Sequence, residues 1–466
     1  MNVSATEELV ENVLGTRFNW FDDVIIEQAK TRIIDSIGCL IAGVNAPGNS
    51  ALVNLVKRWG GRKQATILVH GIRAQAQNVA MVNCIMARSY DYEPNGALVN
   101  GKIIPSHISG TTIMTAITMS EMMGANGQEL ITAMLVGENI ASRILAAGSS
   151  TKRVDSIGTV NVFGATAIAG RLMRLNKSQM LNALGICLDQ ISGSYQNVWD
   201  GTCSFKLSQG LSARSGIFSA ELARQGWSAS KDPLLGKFGY FYLYSDGVTS
   251  SDVLTRDLGE KYYTEAHFKP YISCRYNHGP LECVFSLLHK HQIEAENIKE
   301  VNISVSRKSL QATVGKPFEG GDSPYAAALF SFQYTVANAL LRKCIKPEHF
   351  SEELINDPDI NVLVNKIKLS ELPQAELLEA NVNIVMNDGE EFSEYCDAPR
   401  GDQDKNPMSK DEIIAKFWAN VESSRILKKE NAEEVIRLVE NIEKLDSLDR
   451  VIQLLVSDIM NTASKL

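Results

Sequence analysis

Three acid–base residues share one polar stretch: Asp91, Glu93 and His107 within S-Y-D-Y-E-P-N-G-A-L-V-N-G-K-I-I-P-S-H-I-S-G, residues 89–110. Carboxylates beside an imidazole can take a proton from one atom and return it to another near neutral pH. The stretch lies between two apolar helical patterns, and loops held by rigid scaffolds carry sites more often than cores do. Ser106 reads as the N-cap of the following helix, which puts His107 in its first turn. There the positive end of the helix favours a neutral ring. Without a function, Asp91 and Glu93 are ordinary loop carboxylates and His107 a packed residue at a helix start.

Other polar groups stand alone in apolar or small-residue surroundings: Asp155, Lys206 in C-S-F-K-L-S-Q-G, Arg275 and His278 in P-Y-I-S-C-R-Y-N-H-G, and Tyr334 in F-S-F-Q-Y-T-V-A. Lys206, just before a helix with Ser208 as its N-cap, is either a solvated loop lysine or a cation among apolar neighbours that pairs or loses its proton easily. Tyr334 on an apolar helix would ordinarily be core. Arg275 and His278 could cap a helix or present cations to an acidic substrate. Phosphate-loop, dinucleotide, serine-hydrolase and zincin motifs are all missing.

These residues need scaffolding, and the chain supplies it mostly as helices. Apolar residues recur at helical spacing over 21–42, 49–59, 75–88, 106–123 and 127–147, the last two separated by the turn G-A-N-G. Gly- and Ala-rich stretches follow up to Gly226, a natural helix stop that allows close helix packing before it. Beyond Lys269 the texture changes. Val301, Ile303 and Val305 alternate as in a strand, A-N-V-N-I-V-M-N-D-G-E-E-F reads as a hairpin turning at Asn387-Asp388-Gly389, and helices are expected over 280–291 and 326–341. Helices resume at S-K-D-E, a capping box at Ser409, and continue over 431–445 and 448–461. The expected architecture is mainly α with an α+β second domain: a large helical domain from 1–268 and 397–466, and a smaller one over 269–396.

The chain has 466 residues, 44% hydrophobic and 21% charged, with a net charge of -8. Its pI near 5.6 argues against a nucleic-acid or anionic-membrane surface. The eight cysteines at 39, 84, 187, 203, 274, 283, 344 and 396 include no C-x-x-C and no zinc spacing, so buried thiols in a reducing compartment and no metal are expected. The start lacks a signal-peptide pattern, and no apolar run approaches the roughly 18–20 residues of a membrane span. A cytoplasmic protein without membrane segments is the expectation.

The polar motifs taken together resemble the MmgE/PrpD family over almost the whole length. The likeness rests on Y-D-Y followed by H-I-S-G, K-L-S-Q-G-L-S-A-R-S-G-I-F-S-A-E-L-A-R-Q-G, K-P-Y-I-S-C-R-Y-N-H-G, S-F-Q-Y-T-V-A and D-A-P-R-G-D-Q-D-K-N-P-M-S. It implies a homodimer with an active site between its two domains and a cofactor-free lyase or isomerase acting next to a carboxylate of a small acid. Asp91, His107, Lys206, His278 and Tyr334 match the family's catalytic positions. Lys206 and Arg275, with Asn95 and Asp155, are expected to face the substrate. The chain departs from the family pattern at Glu93-Pro94-Asn95, in the longer loop to His107, and at Asp155, where a second histidine is common. A protein that binds acids without turning them over is the third reading.

Overall fold

The long apolar patterns become helices whose starts are set by short polar side chains, which satisfy backbone N–H groups that the first turn leaves unpaired. Asp22 accepts from the Ile25 amide to open Asp23–Gly43, Asn126 and Glu129 close a capping box on Gly127–Ala147, and Asp155 opens Ser156–Leu172. The computed structural model describes residues 4–148, 154–264, 266–321 and 323–457. Helices Ile108–Met123 and Ser156–Leu172 are buried on nearly every face, as helices apolar all round must be. Glycine sets their approach to Gly127–Ala147: a Cβ on Gly137 would lie 2.9 Å from the Gly164 carbonyl oxygen. Gly127–Ala147 is long and apolar enough to cross a membrane, which corrects the expectation that no segment reaches that length. Its apolar window is 89% buried within the bundle, and it carries Glu138 in a buried ion pair with Arg32 at 3.0 Å.

The C-terminal helices return to this body. Lys410–Ser424, opened by the Ser409–Glu412 capping box, packs on Asp23–Gly43, where a Cβ on Gly38 would come 3.1 Å from Phe417. Between the two, Lys416 pairs with buried Asp35 at 2.7 Å and donates to the Tyr92 carbonyl at 2.8 Å. That contact fixes the polar loop from behind.

The α+β part is a four-stranded sheet in the order Ile367–Glu371, Ile298–Val305, Ala380–Met386, Glu391–Cys396. The first pair is parallel and the others antiparallel. Val301, Ile303 and Val305 face inward in alternation, and Gly389 makes the hairpin turn at φ +95°. Helices His278–Lys290 and Phe332–Arg342 belong to the same apolar cluster as the sheet. The core thus falls in two clusters. One draws on residues 9–263 and 417–455, the other mainly on 272–396 with Tyr90, Tyr92 and Phe205 reaching in from the helical body.

Several elements differ from expectation. The helix read over 326–341 is two, Pro324–Leu329 and Phe332–Arg342, because Ser331 turns extended and caps the second through the Tyr334 amide. The helix read over 431–445 stops at Val439 and ends in a short 3-10 turn, Ile442–Lys444. The last helix is Asp449–Leu454, and residues 458–461 of that reading lie outside the described residues. Two small hairpins went unread, Ala65–Ile67 with Ile72–Ala74 and Ala97–Val99 with Lys102–Ile104; three-residue strands are too short to show alternation.

Lys416→Met should destabilise the fold by about 3–5 kcal/mol, because it strands a buried Asp35 carboxyl and frees the Tyr92 carbonyl. Urea unfolding measures it, and a loss below about 1 kcal/mol would show that Asp35 finds another partner.

Candidate active site

Helix Ala76–Arg88 delivers the first charged group. Arg88, its last residue, is buried, and its guanidinium lies over the Phe205 ring with 5.3 Å to the centroid. Ser89 closes the helix and the chain turns sharply at Asp91, whose φ of +47° is left-handed, a conformation a non-glycine residue holds only when its surroundings enforce it. Enforcement comes from Lys269, whose Nζ donates to both the Asp91 carbonyl and its Oδ1 at 2.6 Å each, and from Arg88, which also bonds Oδ1. Side chains then alternate. Asp91 and Glu93 point into the cluster, while Tyr92 points away and donates to the Pro270 carbonyl at 3.0 Å.

Glu93 Oε1 lies 2.8 Å from His107 Nδ1 and 3.2 Å from Arg88 Nη1. His107 Nε2 stands 3.8 Å from Asp91 Oδ1, and the side chain keeps 19% of its surface exposed. His107 is itself the N-cap of Ile108–Met123, not Ser106 as expected, and Asn161 holds its carbonyl at 3.0 Å. The ring is kept neutral first by burial and then by the Arg88 charge, against the opposing pull of Glu93. Burial raises the Asp91 and Glu93 carboxyls, but Arg88 with Lys269 on the first, and Arg88 with His107 on the second, hold both below the usual range. Both are ionised.

Lys206 reaches the same loop from the other side. It is the N-cap of Leu207–Arg224, with Ser208 inside the helix, contrary to expectation. Its Nζ donates to the Pro47 carbonyl at 2.7 Å, Asn49 Oδ1 at 2.9 Å and Ser89 Oγ at 3.4 Å, near the Tyr325 ring. All three acceptors are neutral, and burial pushes the ammonium down to about 8. Among the described residues no carboxylate pairs with it. The solvated-lysine reading is therefore set aside.

His278 is buried, its Nδ1 3.2 Å from Arg275 Nη1 and its Nε2 without a hydrogen-bond partner. Burial and then the charges of Arg275 and Lys269 hold it neutral, and it also senses Asp91. Asp155 caps its helix with Oδ1, 3.0 Å from the Ile157 amide, while buried Oδ2 has no partner. Burial raises this carboxyl, and it feels both Arg88 and His107. Asn95 forms a short ladder with His267, at 2.9 and 2.7 Å, and its Oδ1 is unpartnered.

Two expected residues sit differently. Arg275 donates to the carbonyls of Arg400 at 2.8 Å, Pro399 at 3.2 Å and Phe268 at 3.5 Å; it clamps backbone and presents no free fork to a carboxylate. Tyr334 lies in the second apolar cluster, its hydroxyl donated to the His349 carbonyl and its ring 5.7 Å from Phe350. It is not brought to the cluster. Arg88 and Lys269 are what the sequence reading missed. Each had a faint signal, a basic residue at the last turn before the acidic loop and the lysine opening K-P-Y.

Asp91, Glu93 and His107 offer ligand atoms within 4.8 Å of one another, a grouping that no spacing rule flagged. Arg88 and Lys269 already neutralise both carboxylates, so a divalent ion would have to displace resident cations.

Charged groups with shifted pKa values buried where a helical body meets an α+β unit, a neutral imidazole on a carboxylate among them, are the kind of cluster enzyme active sites are built from. The chain belongs to the MmgE/PrpD family: residues 7–251 match the MmgE/PrpD N-terminal domain and residues 271–444 the C-terminal domain. It is an enzyme of that family's lyase type. It is similar to the cis-aconitate decarboxylase of Mus musculus, 26% identical over 99% of this chain and 96% of that protein. The same holds for those of Homo sapiens, 24% identical over 95% and 92%, and Aspergillus terreus, 23% identical over 93% of each.

An anion beside Lys206 raises its pKa, so the affinity gained is complete below about 8 and lost as pH rises through it, by up to about tenfold per unit. Calorimetric titration with a small dicarboxylate across that range should show the loss in the native protein and not in Lys206→Met. An identical pH profile in both would assign the anion elsewhere.

Proposed function

We propose that this enzyme is a cofactor-independent lyase that removes CO2, or alternatively water, next to a carboxylate of a small di- or tricarboxylic acid. The observation that carries the reading is the pairing of a neutral, partly solvent-exposed His107 on Glu93 with a buried lysine that has no carboxylate partner among the described residues. Lys206 holds a substrate carboxylate, and breaking the neighbouring C–C bond releases CO2. The electron pair is delocalised into a remaining carboxylate, and a proton drawn from solvent reaches carbon through His107. Dehydration would use the same ring to take a carbon-bound proton and pass it to the departing hydroxide, which leaves as water. The names of the relatives favour the decarboxylase.

After exhaustive dialysis against a chelator, a panel of hydroxy and unsaturated polycarboxylates in D2O should yield a product lighter by CO2 or by water. Deuterium uptake without mass loss would mean an isomerase, and no change across the panel would leave an acid-binding homologue. Activity restored only by added zinc, iron or magnesium would overturn the metal-free reading. With the substrate found, His107→Gln should keep the circular dichroism spectrum and lower turnover by about 10² to 10⁴.

We also propose a homodimer. Phe238, Tyr242 and Leu243 are each more than half exposed in one short stretch of the helical body, the rings of Phe238 and Tyr242 5.7 Å apart, more apolar surface than scattered single residues would give. Light scattering at micromolar concentration should give twice the chain mass; a clean monomer removes the proposal.

A further inference from the structure

His107, partly exposed, and His278, fully buried, are both neutral, and each has one ring nitrogen claimed by a neighbour of fixed hydrogen-bonding character. A neutral imidazole carries one N–H and one lone pair, so the claim on Nδ1 decides what Nε2 can do. Glu93 is ionised and its Oε1 already accepts from Arg88; it can only accept from His107 Nδ1, at 2.8 Å. The proton therefore sits on Nδ1, and His107 Nε2 exposes a lone pair. At His278 the neighbour is the opposite. Arg275 Nη1, 3.2 Å from Nδ1, belongs to a guanidinium that has donors and no acceptor. Nδ1 holds the lone pair facing that guanidinium, the Ser273 carbonyl being the one acceptor that acts on the ring against it, and the proton sits on Nε2, which has no hydrogen-bond partner among the described residues. Arg275 is itself fixed by the carbonyls of Arg400 and Pro399.

We propose that the two histidines are locked in opposite tautomers, His107 exchanging protons through an Nε2 lone pair and His278 donating a hydrogen bond through Nε2–H, with Glu93 and Arg275 as the positioning residues that set them. In the lyase reading, on which these roles rest, His107 handles the proton at carbon. His278 stabilises the carboxylate oxygen that gains charge, as a preorganised neutral donor does without proton transfer of its own. Asp91, saturated by Arg88 and Lys269, is then a fixed anion and not the base.

The test reads tautomers directly. Full-length protein carrying ring-15N histidine should give two-bond proton–nitrogen correlations near neutral pH, with His107→Gln and His278→Gln assigning the two rings among seven histidines. Protonated Nδ1 at His107 and protonated Nε2 at His278 are expected. The same tautomer in both rings, or an imidazolium in either, overturns the proposal. Glu93→Gln, whose amide can also donate to Nδ1, should mix the His107 tautomers and lower kcat by on the order of 10² to 10⁴ with little change in KM. An unchanged His107 pattern in that variant also overturns it. Opposite tautomers in a protein that turns over no acid uphold the assignment and count against the lyase reading. Like tautomers in an active lyase overturn the assignment alone.

Discussion

Lys269 on Asp91 is the interaction on which the site depends. It comes from the first residues of the α+β part and bonds both the backbone carbonyl and the side chain of a residue in the helical body. The same seam carries Tyr92 to the Pro270 carbonyl and Asn95 to the His267 backbone. Asp91 and Tyr92, adjacent in one loop, thus tie the two halves of the chain, and Asn95 holds the same loop to the residues just before Lys269. A left-handed Asp91 costs about 1–3 kcal/mol on its own, and two cations on its carboxylate offset that cost. Burying four charges is favourable only when the set closes on itself, as Arg88, Lys269, Asp91 and Glu93 do here. The chemistry therefore exists only where both halves are docked.

The same closure gives the two histidines different surroundings. His107 keeps an edge in solvent and a carboxylate behind it, whereas His278 is fully enclosed and backed by a guanidinium. Like residues in unlike surroundings is how one fold separates acid–base work from charge stabilisation near neutral pH. Arg275 links the loop at Pro399 and Arg400 to this arrangement, so the motif D-A-P-R-G-D-Q acts as a backstop for the histidine. Gly401 is required there: a Cβ would lie 2.0 Å from the Phe268 carbonyl oxygen.

Much of this was legible in the sequence, unevenly. Gly127–Ala147 falls on the expected residues because its Asn126–Glu129 capping box and its periodicity agree, and Asn49–Trp59 does so without a side-chain cap, by periodicity between the left-handed glycines Gly48 and Gly60. Asp91, Glu93 and His107 could be picked out because they are close in sequence, and His278 because of its polar motif. Lys269 could not, since its meaning lies in an ion pair across 178 residues. Arg88 looked like an ordinary basic helix end. Tyr334 and Arg275 show the reverse: each stands in a motif of the family, yet one donates to a carbonyl in the second core and the other holds a loop. Sequence pattern ranks residue types by what they could do, while burial and partners determine what they do.

Charge balance decides what the site is for. Within the cluster the Asp91 and Glu93 carboxylates are matched by Arg88 and Lys269, and both histidines are neutral. Burial moves Asp155 towards its own neutral form. Lys206 is left over, a buried ammonium whose hydrogen bonds among the described residues go to two carbonyl oxygens and a hydroxyl. Such a group is costly unless it loses its proton or gains an anion, and its pKa near 8 places it between the two. In the proposed lyase reading a small carboxylate resolves that imbalance, and the charge the closed cluster leaves unmatched is what would favour an acid there.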